Sequence, residues 1–406
     1  MNCRYCDTVL LKPFLELGSM ALANSFINLE DAKKDEFQCP LSLTRCSRCG
    51  LIQLTHVVPA DLMFSNYLYV SSTTQTFKTH FAEYAKSAKA KLFKKEGGIA
   101  VDIGSNDGLL LSCYQNVGLR AVGVEPAKNL SEDANRRGIT TVNDYWGEAA
   151  VSRILSEWGP ADIISGNNVF AHIDDIQAVL RNVDTLLDDK GIFVIEFPYL
   201  VTMCEKMLFD MIYHEHLSYI AVTPLKYVLS RFNLEIFTIE QVASHGGSLR
   251  VFIQKKGAGR TISPEVESLL QLEAKGGYNE NPAYEKFAKE VYQVKESLIQ
   301  FVNQAQAEGK TISGYGAAAK ASTIANFCAF NPSQIDYIVD DNPLKQNKLM
   351  PGAKIPVVPN SHLTAHPTDY VIIFAWNFAS EIIKKLESLK QKGIKFIIPL
   401  PKPHIV

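Results

Sequence analysis

The amino-acid sequence predicts an α/β protein in which two Rossmann-like domains follow a small metal-binding module. A strand, a glycine-rich turn and a helix occur in that order at 99–114 and again at 311–328, as at the start of nucleotide-binding α/β domains. Strands alternate with helical stretches after each turn, which is typical of a mostly parallel sheet covered on both faces. Five of the eight cysteines lie in the first 49 residues, so that segment is expected to be a module of its own.

The composition is that of an ordinary globular chain. Its 406 residues predict two or three domains, and 47% hydrophobic with 21% charged residues suffices for substantial cores. A net charge of −2 leaves no basic excess for a nucleic-acid partner. No apolar run approaches the roughly 18 residues of a membrane span, and the start lacks the features of a secretory signal. We therefore expect a cytoplasmic protein whose cysteines do not form a disulfide framework.

The clustered cysteines have the spacing of a zinc site. Two pairs, each with two residues between its members, supply four thiolates: Cys3, Cys6, Cys46 and Cys49. Gly50 permits the tight knuckle that such a pair needs, and two knuckles make a tetrahedral structural site. Four thiolates leave no open position for water, so the metal is expected to be structural. Cys39 is left over, and the alternative is a set of unrelated buried thiols.

Further elements are predicted from apolar patterns along both units. Strands of the first unit are expected at 120–124, 139–142, 161–165, 191–196, 234–240 and 249–254, and those of the second at 335–340, 370–374 and 395–398. The segment 264–306 is polar, rich in Glu, Lys and Gln, and helical in pattern. It is therefore expected to link the two units.

The first glycine turn, Asp102-x-Gly104-x3-Gly108, is the type that S-adenosylmethionine-dependent methyltransferases use. Glycine lets the backbone approach the methionine and ribose parts closely because no Cβ intervenes. Glu125 follows the next strand, where an acid accepts hydrogen bonds from ribose hydroxyls. The four-residue glycine step differs from the dinucleotide pattern and favours the methyl donor. The alternative is a tight turn with no ligand.

Several segments together resemble the sugar C-methyltransferases that act on nucleotide-linked keto-deoxysugars. The resemblance rests on 161–174, 191–198, Phe209-Asp-Met-Ile-Tyr-His-Glu-His-Leu-Ser-Tyr219, His245-Gly-Gly-Ser-Leu-Arg250, the cysteine knuckles, 314–320 and 339–343. It spans nearly the whole chain in one order. It implies a zinc-binding module at 1–65, a Rossmann-like class I methyltransferase domain at 66–260, a helical linking segment at 261–306 and a second Rossmann-like domain at 307–406.

The resemblance also implies the site residues. Residues expected to bind S-adenosylmethionine are Asp102, Gly104, Asn106, Gly108, Glu125 and Asn168. The catalytic base is assigned to His216, whose unperturbed pKa lies near neutrality, with Tyr213 as a donor to an oxyanion. Glu215 would orient the imidazole or bind a sugar hydroxyl or amine. Tyr213 could instead be the base, with His216 relaying the proton.

Other readings of the same histidines remain open. His214 and His216 could be metal ligands, but they lack the spacing of a helical H-E-x-x-H site, and a plain polar turn is a further alternative. His172 and His245 could also reach the cleft, although His172 is not expected to be catalytic. The resemblance adds a tyrosine to the sugar pocket, which is either Tyr67 or Tyr69.

The second glycine turn, Gly314-x-Gly316-x-x-Ala319, matches a dinucleotide fingerprint. It supports an alternative function, an NAD(P)-dependent oxidoreductase acting on a nucleotide sugar, in which Asp340 or Asp341 would bind ribose. Backbone N–H groups at a helix start can hold any diphosphate, and Lys320 adds positive charge. The resemblance implies that this domain instead binds the diphosphate and nucleoside of the substrate.

The expected reaction moves a methyl group from S-adenosylmethionine to C3 of a nucleoside-diphosphate-linked 4-keto-6-deoxysugar, with dTDP as the expected nucleotide. A zinc-module scaffold with degenerate nucleotide folds is a third possibility, and it would bind no nucleotide. The sequence leaves open which sugar is used and how many copies of the chain assemble.

Overall fold

The computed structural model describes residues 1–10, 12–59, 62–63, 75–93 and 97–406. The described strands form three sheets of four, seven and eight strands. Apolar side chains from all three parts of the chain join one continuous core, which includes Leu43, Val101 and Ile312. Within the described residues, no helix is both long and apolar enough to cross a membrane.

The four-stranded sheet belongs to the amino-terminal module, but a later strand completes it. Strands β1 (Leu15–Ala21), β3 (Gln38–Arg45) and β4 (Ile52–Leu54) pair antiparallel in that order. Strand β10 (Ser218–Tyr219) then pairs antiparallel with β4. The module is therefore joined by backbone hydrogen bonds to a segment far along the chain.

The seven-stranded sheet has the order β11-β12-β9-β8-β5-β6-β7. Its strands are β5 (Ile99–Ile103), β6 (Arg120–Val124), β7 (Thr141–Val142), β8 (Ala161–Asn167), β9 (Leu187–Pro198), β11 (Leu234–Val242) and β12 (Ser248–Lys255). Strands β5 to β9 run parallel, as expected, whereas β12 pairs antiparallel with β9, and β11 pairs antiparallel with β12 at the edge of the sheet. A short connection joins β11 to β12, and such a connection can link only antiparallel strands. The strand order reverses at β5 and β8, which opens a crevice at their carboxyl ends.

Helices cover this sheet. They are α1 (Gln75–Ala90), α2 (Leu109–Asn116), α3 (Lys128–Arg136), α4 (Glu148–Trp158), α5 (Ile176–Leu186), α6 (Leu200–Glu205) and α7 (Val222–Ser230). In α5, buried residues recur at the spacing of one helical face, at Ile176, Val179, Leu180 and Val183. Asp175 caps that helix by accepting a hydrogen bond from the Ala178 N–H at 2.8 Å.

Two helices, α8 (Pro264–Lys275) and α9 (Asn281–Ala307), follow where a helical linking segment is predicted. The segment is not purely a solvated link, because Glu273 of α8 is fully buried. Its carboxylate accepts hydrogen bonds from the Tyr199 hydroxyl at 2.8 Å and from the N–H groups of Val222 and Thr223 at 2.6 and 2.8 Å. The helix α8 therefore caps the start of α7.

The eight-stranded sheet has the order β19-β18-β17-β13-β14-β16-β15-β2. Its strands are β2 (Ile27–Asn28), β13 (Ile312–Tyr315), β14 (Ile338–Val339), β15 (Lys348–Leu349), β16 (Pro356–Val358), β17 (Tyr370–Ile373), β18 (Lys395–Ile398) and β19 (His404–Ile405). The accompanying helices are α10 (Ala319–Phe327), α11 (Asn360–Ala365), α12 (Ala379–Lys385) and α13 (Glu387–Lys390). The strands β14, β13, β17 and β18 are parallel. The edge strand β2 comes from the amino-terminal module.

Candidate active site

One cavity of about 1090 Å³ lies among the three parts of the chain. Its lining includes Asn24 of the module, Glu125 and His216 of the middle part, and Lys320 and Lys345 of the last part. The carboxyl ends of β5, β6 and β8 open into it, where ligands collect in open α/β sheets. The cavity is large enough for two substrates to meet.

The first glycine turn forms one wall of this cavity. Gly104 has φ +64°, and a Cβ there would lie 2.8 Å from Cγ2 of Val169, so the turn needs glycine for both conformation and space. Glu125 accepts hydrogen bonds from the N–H groups of Asn106 and Ala127, each at 2.8 Å. Each carboxylate oxygen therefore receives one N–H and retains a lone pair for a ribose hydroxyl.

Four of the six residues predicted to bind the methyl donor line the cavity, namely Gly104, Asn106, Glu125 and Asn168. We call these four residues the donor site. Asp102 and Gly108 lie behind the lining. Asp102 is buried and accepts a hydrogen bond from the Ser165 hydroxyl at 2.6 Å, and burial raises its pKa to about 7. Gly108, with φ +78°, begins α2.

Buried polar atoms at the donor site fit a polar cofactor. Asn168 has φ +54°, and its N–H donates to the Glu196 carbonyl at 2.8 Å. Its Nδ2 donates to Asn167 Oδ1 at 2.6 Å. Within the described residues, Asn168 Oδ1 and Asn167 Nδ2 are buried without a hydrogen-bond partner. Because unpaired buried polar atoms are costly, this pair suits a ligand with its own donors and acceptors.

The active-site segment, residues 209–219, runs from a 3-10 turn (Phe209–Met211) to β10. His216 Nδ1 lies 2.8 Å from the Met211 carbonyl oxygen, so Nδ1 carries the proton and donates it. In the neutral ring Nε2 is then the basic nitrogen. The Tyr213 and His172 ring centroids lie 4.0 and 4.8 Å from that of His216, and the His172 ring meets it edge-on.

Glu215 shares the cavity but does not orient His216, because the Met211 carbonyl does so. Its Oε1 accepts a hydrogen bond from Asn24 Nδ2 at 2.6 Å. The side chain is buried, which raises its pKa, while the Asn24 amide and the charge of Lys345 act in the opposite direction. Of the two roles predicted for Glu215, binding a polar group of the substrate is the one compatible with these contacts.

The His214 side chain contacts the amino-terminal module and not His216. Its Nε2 donates to the Cys39 carbonyl at 3.0 Å, and burial lowers its pKa. It therefore fixes the active-site segment to the amino-terminal module. In the part of the chain that the structure describes, no His, Cys, Asp or Glu cluster suited to a metal forms around His214 and His216.

The four predicted zinc ligands do converge. The Sγ atoms of Cys3, Cys6, Cys46 and Cys49 all lie within 4.8 Å of one another and are buried. The Cys3–Cys49 and Cys6–Cys46 sulfur pairs are 3.4 and 3.5 Å apart. When four sulfurs surround zinc as a tetrahedron with bonds of about 2.3 Å, the distances between the sulfurs are similar to those found here. The four cysteines therefore fit zinc. Hydrogen bonding with Cys49 lowers the pKa of Cys3 to about 6 despite burial.

All eight cysteines, each of which is described, are free and buried thiols. Cys39 packs against Leu22 and Val58, outside the sulfur cluster. The Cys39 thiol is therefore part of a small apolar cluster and not of the predicted zinc site.

The second glycine turn is packed against its own domain. A Cβ on Gly314 would lie 2.7 Å from Phe374, and one on Gly316, where φ is +92°, would lie 2.6 Å from Ala375. Asp340 accepts hydrogen bonds from the N–H groups of Ala317 at 2.7 Å and Asn342 at 2.8 Å. Neither glycine lines the cavity, where both were predicted to bind substrate; instead they let the turn pack closely against Phe374 and Ala375, which follow the neighbouring strand β17.

The start of α10 follows this turn and does line the cavity. Lys320 lies there with its ammonium 5.1 Å from the Trp376 ring, and Lys345 and Lys348 line the same wall. The Lys345 ammonium donates to the Ala317 carbonyl at 2.9 Å, and burial lowers its pKa. This wall therefore combines three lysines with a helix start, a combination that favours anions.

Some predicted residues lie outside these observations. Tyr67 and Tyr69 are outside the described residues. His245 lies in the 3-10 turn Ser244–Gly246, and its side chain is likewise outside the description. The sequence analysis did not identify Asn24 or Lys345. Neither lies in a motif, and each reaches the cavity only through the packing of the three parts.

Three family models match consecutive parts of the chain. They are a putative zinc binding domain at 3–64, a methyltransferase domain at 77–239 and a C-methyltransferase C-terminal domain at 243–401. The C-methyltransferase NovU of Streptomyces niveus is 33% identical over 405 residues, which cover 100% of this chain and 96% of NovU.

Solved structures match less of the chain. An S-adenosylmethionine-dependent methyltransferase from Clostridium acetobutylicum is 12% identical and covers 46% of this chain and 94% of its own, with a TM-score of 0.36. The magnesium protoporphyrin IX methyltransferase of Synechocystis with bound S-adenosylmethionine is 12% identical and covers 45% and 79%, with a TM-score of 0.32.

The fold, the family models and the four-cysteine cluster define an S-adenosylmethionine-dependent methyltransferase with a structural zinc module. The methyl group goes to carbon, since the carboxyl-terminal model and the full-length relative are both C-methyltransferases. The chain belongs to this C-methyltransferase family. The resemblance, the fold class and both cofactors predicted from the sequence are thereby confirmed.

Proposed function

We propose that the enzyme methylates C3 of a nucleoside-diphosphate-linked 4-keto-6-deoxysugar, with dTDP as the expected nucleotide. One observation carries the proposal: a single cavity joins the donor site, the His216–Tyr213 pair and the lysine wall. A C-methyltransferase needs a base beside a carbon acid. A nucleotide-linked substrate also needs a cationic wall for its diphosphate.

The base is assigned to His216 Nε2. A proton on C3 of a 4-keto sugar is acidic because its removal gives an enolate delocalised onto the ketone oxygen. Since Nδ1 donates to the Met211 carbonyl, the ring presents Nε2 to the substrate in the correct tautomer. Tyr213, whose ring lies 4.0 Å from the His216 ring, would donate to the developing oxyanion.

The donor site would hold the cofactor, with Glu125 on the ribose and the Asn168 side chain on the methionine part. When bound, S-adenosylmethionine supplies an electrophilic methyl group on a positively charged sulfur. Glu215 would bind a hydroxyl or amine of the sugar, since the Asn24 amide already fixes its carboxylate at the cavity wall. The buried position of Glu215 makes this contact sensitive to the charge of the substituent.

The last domain would hold the nucleotide. Lys320, Lys345 and Lys348 line its wall, and the α10 start presents unpaired N–H groups beside them. The NAD(P)-dependent alternative is less well supported, because Gly314, Gly316 and Asp340 are not among the residues that line the cavity, whereas Gly104 and Glu125 are. NADH causing a fluorescence change or thermal shift would revive that alternative.

The test uses a matched pair of histidine variants with dTDP-4-keto-6-deoxyglucose and S-adenosylmethionine. In His216→Asn the amide Nδ2 can still donate to the Met211 carbonyl, but the side chain has no basic nitrogen. Turnover should fall about 10²–10⁴-fold, the usual range for general base catalysis, while S-adenosylmethionine affinity is unchanged. His214→Gln retains a donor for the Cys39 carbonyl and should keep near wild-type turnover.

Nuclear magnetic resonance of the product locates the new methyl group. C3 and C5 both flank the ketone, so methylation at C5 would contradict the proposed position but not the carbon-acid chemistry. Wild type in D2O should also exchange the C3 proton of the substrate. A His216→Asn enzyme with wild-type turnover would exclude His216 as the base and leave Tyr213 as the candidate.

A further inference from the structure

Arg4 lies between two zinc ligands of the first knuckle, Cys3 and Cys6, yet its side chain reaches away from the metal. Its Nε donates to Asp174 Oδ1 at 2.8 Å. Its Nη1 donates to the carbonyl oxygens of Leu217 at 3.1 Å and Leu54 at 3.3 Å. The Arg4 side chain is only 4% exposed, so its two bonds to backbone carbonyls are formed in the interior, whereas Asp174 lies at the surface.

The three partners belong to the segments that carry the active-site rings. Leu217 directly follows His216, and Asp174 lies two residues after His172. Leu54 ends β4, the strand that pairs with β10 of the active-site segment. One guanidinium therefore binds both segments whose histidine rings meet at 4.8 Å, together with the strand beside them.

The backbone of Arg4 is fixed independently of these contacts. Its N–H donates to Gln53 Oε1 at 3.0 Å, and its carbonyl accepts from Gln177 Nε2 at 3.4 Å. The ligands Cys3 and Cys6 on either side hold the knuckle around zinc. Because a guanidinium is planar, its donors point in fixed directions once the backbone and the first side-chain bonds are set.

We infer that Arg4 is a positioning residue for methyl transfer. It links the zinc knuckle to the two segments that contain His172 and His216 and so fixes the position of their rings. The inference rests on the proposed function, because that proposal assigns the base to His216. Reaction rates respond steeply to geometry, and a displacement of about 1 Å can cost roughly 100-fold. Arg4 is not among the residues that line the cavity. Its loss should therefore lower kcat more than it raises KM or weakens donor binding.

The experiment compares Arg4→Met with Arg48→Met in the full-length, zinc-loaded enzyme. Methionine has a similar length and no hydrogen-bond donors. Arg48 lies in the second knuckle between Cys46 and Cys49 but is exposed, so it is the matched control. We expect both variants to retain zinc by elemental analysis and S-adenosylmethionine affinity by calorimetry. Only Arg4→Met should lose about 10–100-fold in kcat for dTDP-4-keto-6-deoxyglucose, with KM changed less than threefold.

Two further variants keep the inference testable if Arg4→Met loses zinc or folds poorly. Asp174→Asn removes the ionic contact to the His172 segment while keeping the size of a side chain that is 61% exposed. It should lower kcat a few-fold at constant KM. Arg4→Ala with added ethylguanidinium should recover part of the lost kcat, whereas Arg48→Ala should not respond. A purely structural role for Arg4 predicts loss of zinc or of thermal stability in parallel with activity, and no recovery.

The outcomes separate the inference from the proposed function. A wild type that does not methylate the keto-sugar nucleotide contradicts the proposed function. Hydrogen–deuterium exchange then still tests Arg4, because Arg4→Met should speed exchange across 170–175 and 209–219 relative to Arg48→Met. Equal exchange in the two variants, or an active wild type with equal kcat in Arg4→Met, Asp174→Asn and Arg48→Met, would overturn the inference.

Discussion

The Glu125 carboxylate is assigned two functions. It holds the first glycine turn through the Asn106 and Ala127 N–H groups, and it faces the cavity where the ribose is expected. It is buried at the cavity wall, so its loss would leave two backbone N–H groups of the turn without their partner.

Glu125→Ala should therefore weaken S-adenosylmethionine binding by about 1.5–3 kcal/mol, the range for hydrogen bonds to a charged group. Calorimetry with the wild type and the variant measures this difference. Glu132→Ala is the control, because Glu132 lies on the exposed side of α3 and pairs only loosely with Lys128 at 3.8 Å. Equal affinity in Glu125→Ala and the wild type would remove Glu125 from the donor site.

The raised pKa of Asp102 predicts that the free energy of unfolding depends on pH. Burial raises its pKa in the folded protein to about 7, above the value of about 3.9 in an unfolded chain. The folded state then binds the proton more tightly, so the free energy of unfolding decreases as pH rises from about 4 to 7. Asp102→Asn cannot ionise and should lose less stability between pH 5 and pH 8, by roughly 2–3 kcal/mol. Thermal unfolding at both pH values tests this, and equal losses for the two proteins would contradict it.

Among the elements, the β5–α2 turn depends on two glycine properties that can be measured separately. Gly104 combines a positive φ with a Cβ position 2.8 Å from Val169, whereas Gly138 has φ +79° with nothing within 4 Å. Gly138→Ala therefore adds backbone strain alone, while Gly104→Ala adds strain and a steric clash.

We expect Gly104→Ala to abolish measurable S-adenosylmethionine binding, because the turn must shift into the donor site. Gly138→Ala should lose about 1–2 kcal/mol of stability and keep its donor affinity. Calorimetry and thermal unfolding of the two variants distinguish these effects. Donor binding retained in Gly104→Ala would show that Val169 can move aside.

Local sequence patterns predict those elements whose evidence is itself local. The knuckle spacing of Cys3 and Cys6, the buried run before Gly104 and the helical pattern at 264–306 each involve a few neighbouring residues. The predicted strands at 139–142 and 335–340 are shorter in the structure, at Thr141–Val142 and Ile338–Val339. Strand ends depend on where a neighbouring strand stops pairing, which one segment alone does not determine.

The contacts that bring the residues of the site together are long-range, and no local sequence pattern predicts them. Strand β10 has two residues, too few for any periodicity, and its partner β4 lies far away in the sequence, in the amino-terminal module. Asn24 meets Glu215 only after the module packs on the active-site segment. The type of chemistry at the site was therefore predictable from motifs, but the origin of one cavity wall in the amino-terminal module was not.

At the scale of the whole molecule, the zinc module is part of the active-site framework. Strand β4 pairs with β10, and the Cys39 carbonyl accepts a hydrogen bond from His214.

Cys46→Ser should lose the metal, because three thiolates and a hydroxyl bind zinc far more weakly. Turnover should fall with the zinc content even though the donor site lies in another domain. Elemental analysis, thermal unfolding and turnover measure the three effects.

Cys39→Ser is the matched control for that variant. Cys39 lies in the same module and is buried, but its thiol packs against Leu22 and Val58 and does not face the metal. The control should keep its zinc and most of its turnover, with a small loss of stability from burying a hydroxyl. Wild-type protein without zinc after careful purification would contradict the zinc assignment itself.

The pairing of β2 with β15 has a consequence for how the chain is made. Ile27 and Asn28 of β2 form the edge of the sheet and pair with β15. During synthesis β2 therefore leaves the ribosome long before its partner strand. The growing polypeptide must keep this early strand available while the entire middle domain is synthesised. A fragment that starts after the linking helices would expose the unpaired edge of β15 to other copies of itself. The last domain thus depends on the first for the outermost strand of its sheet.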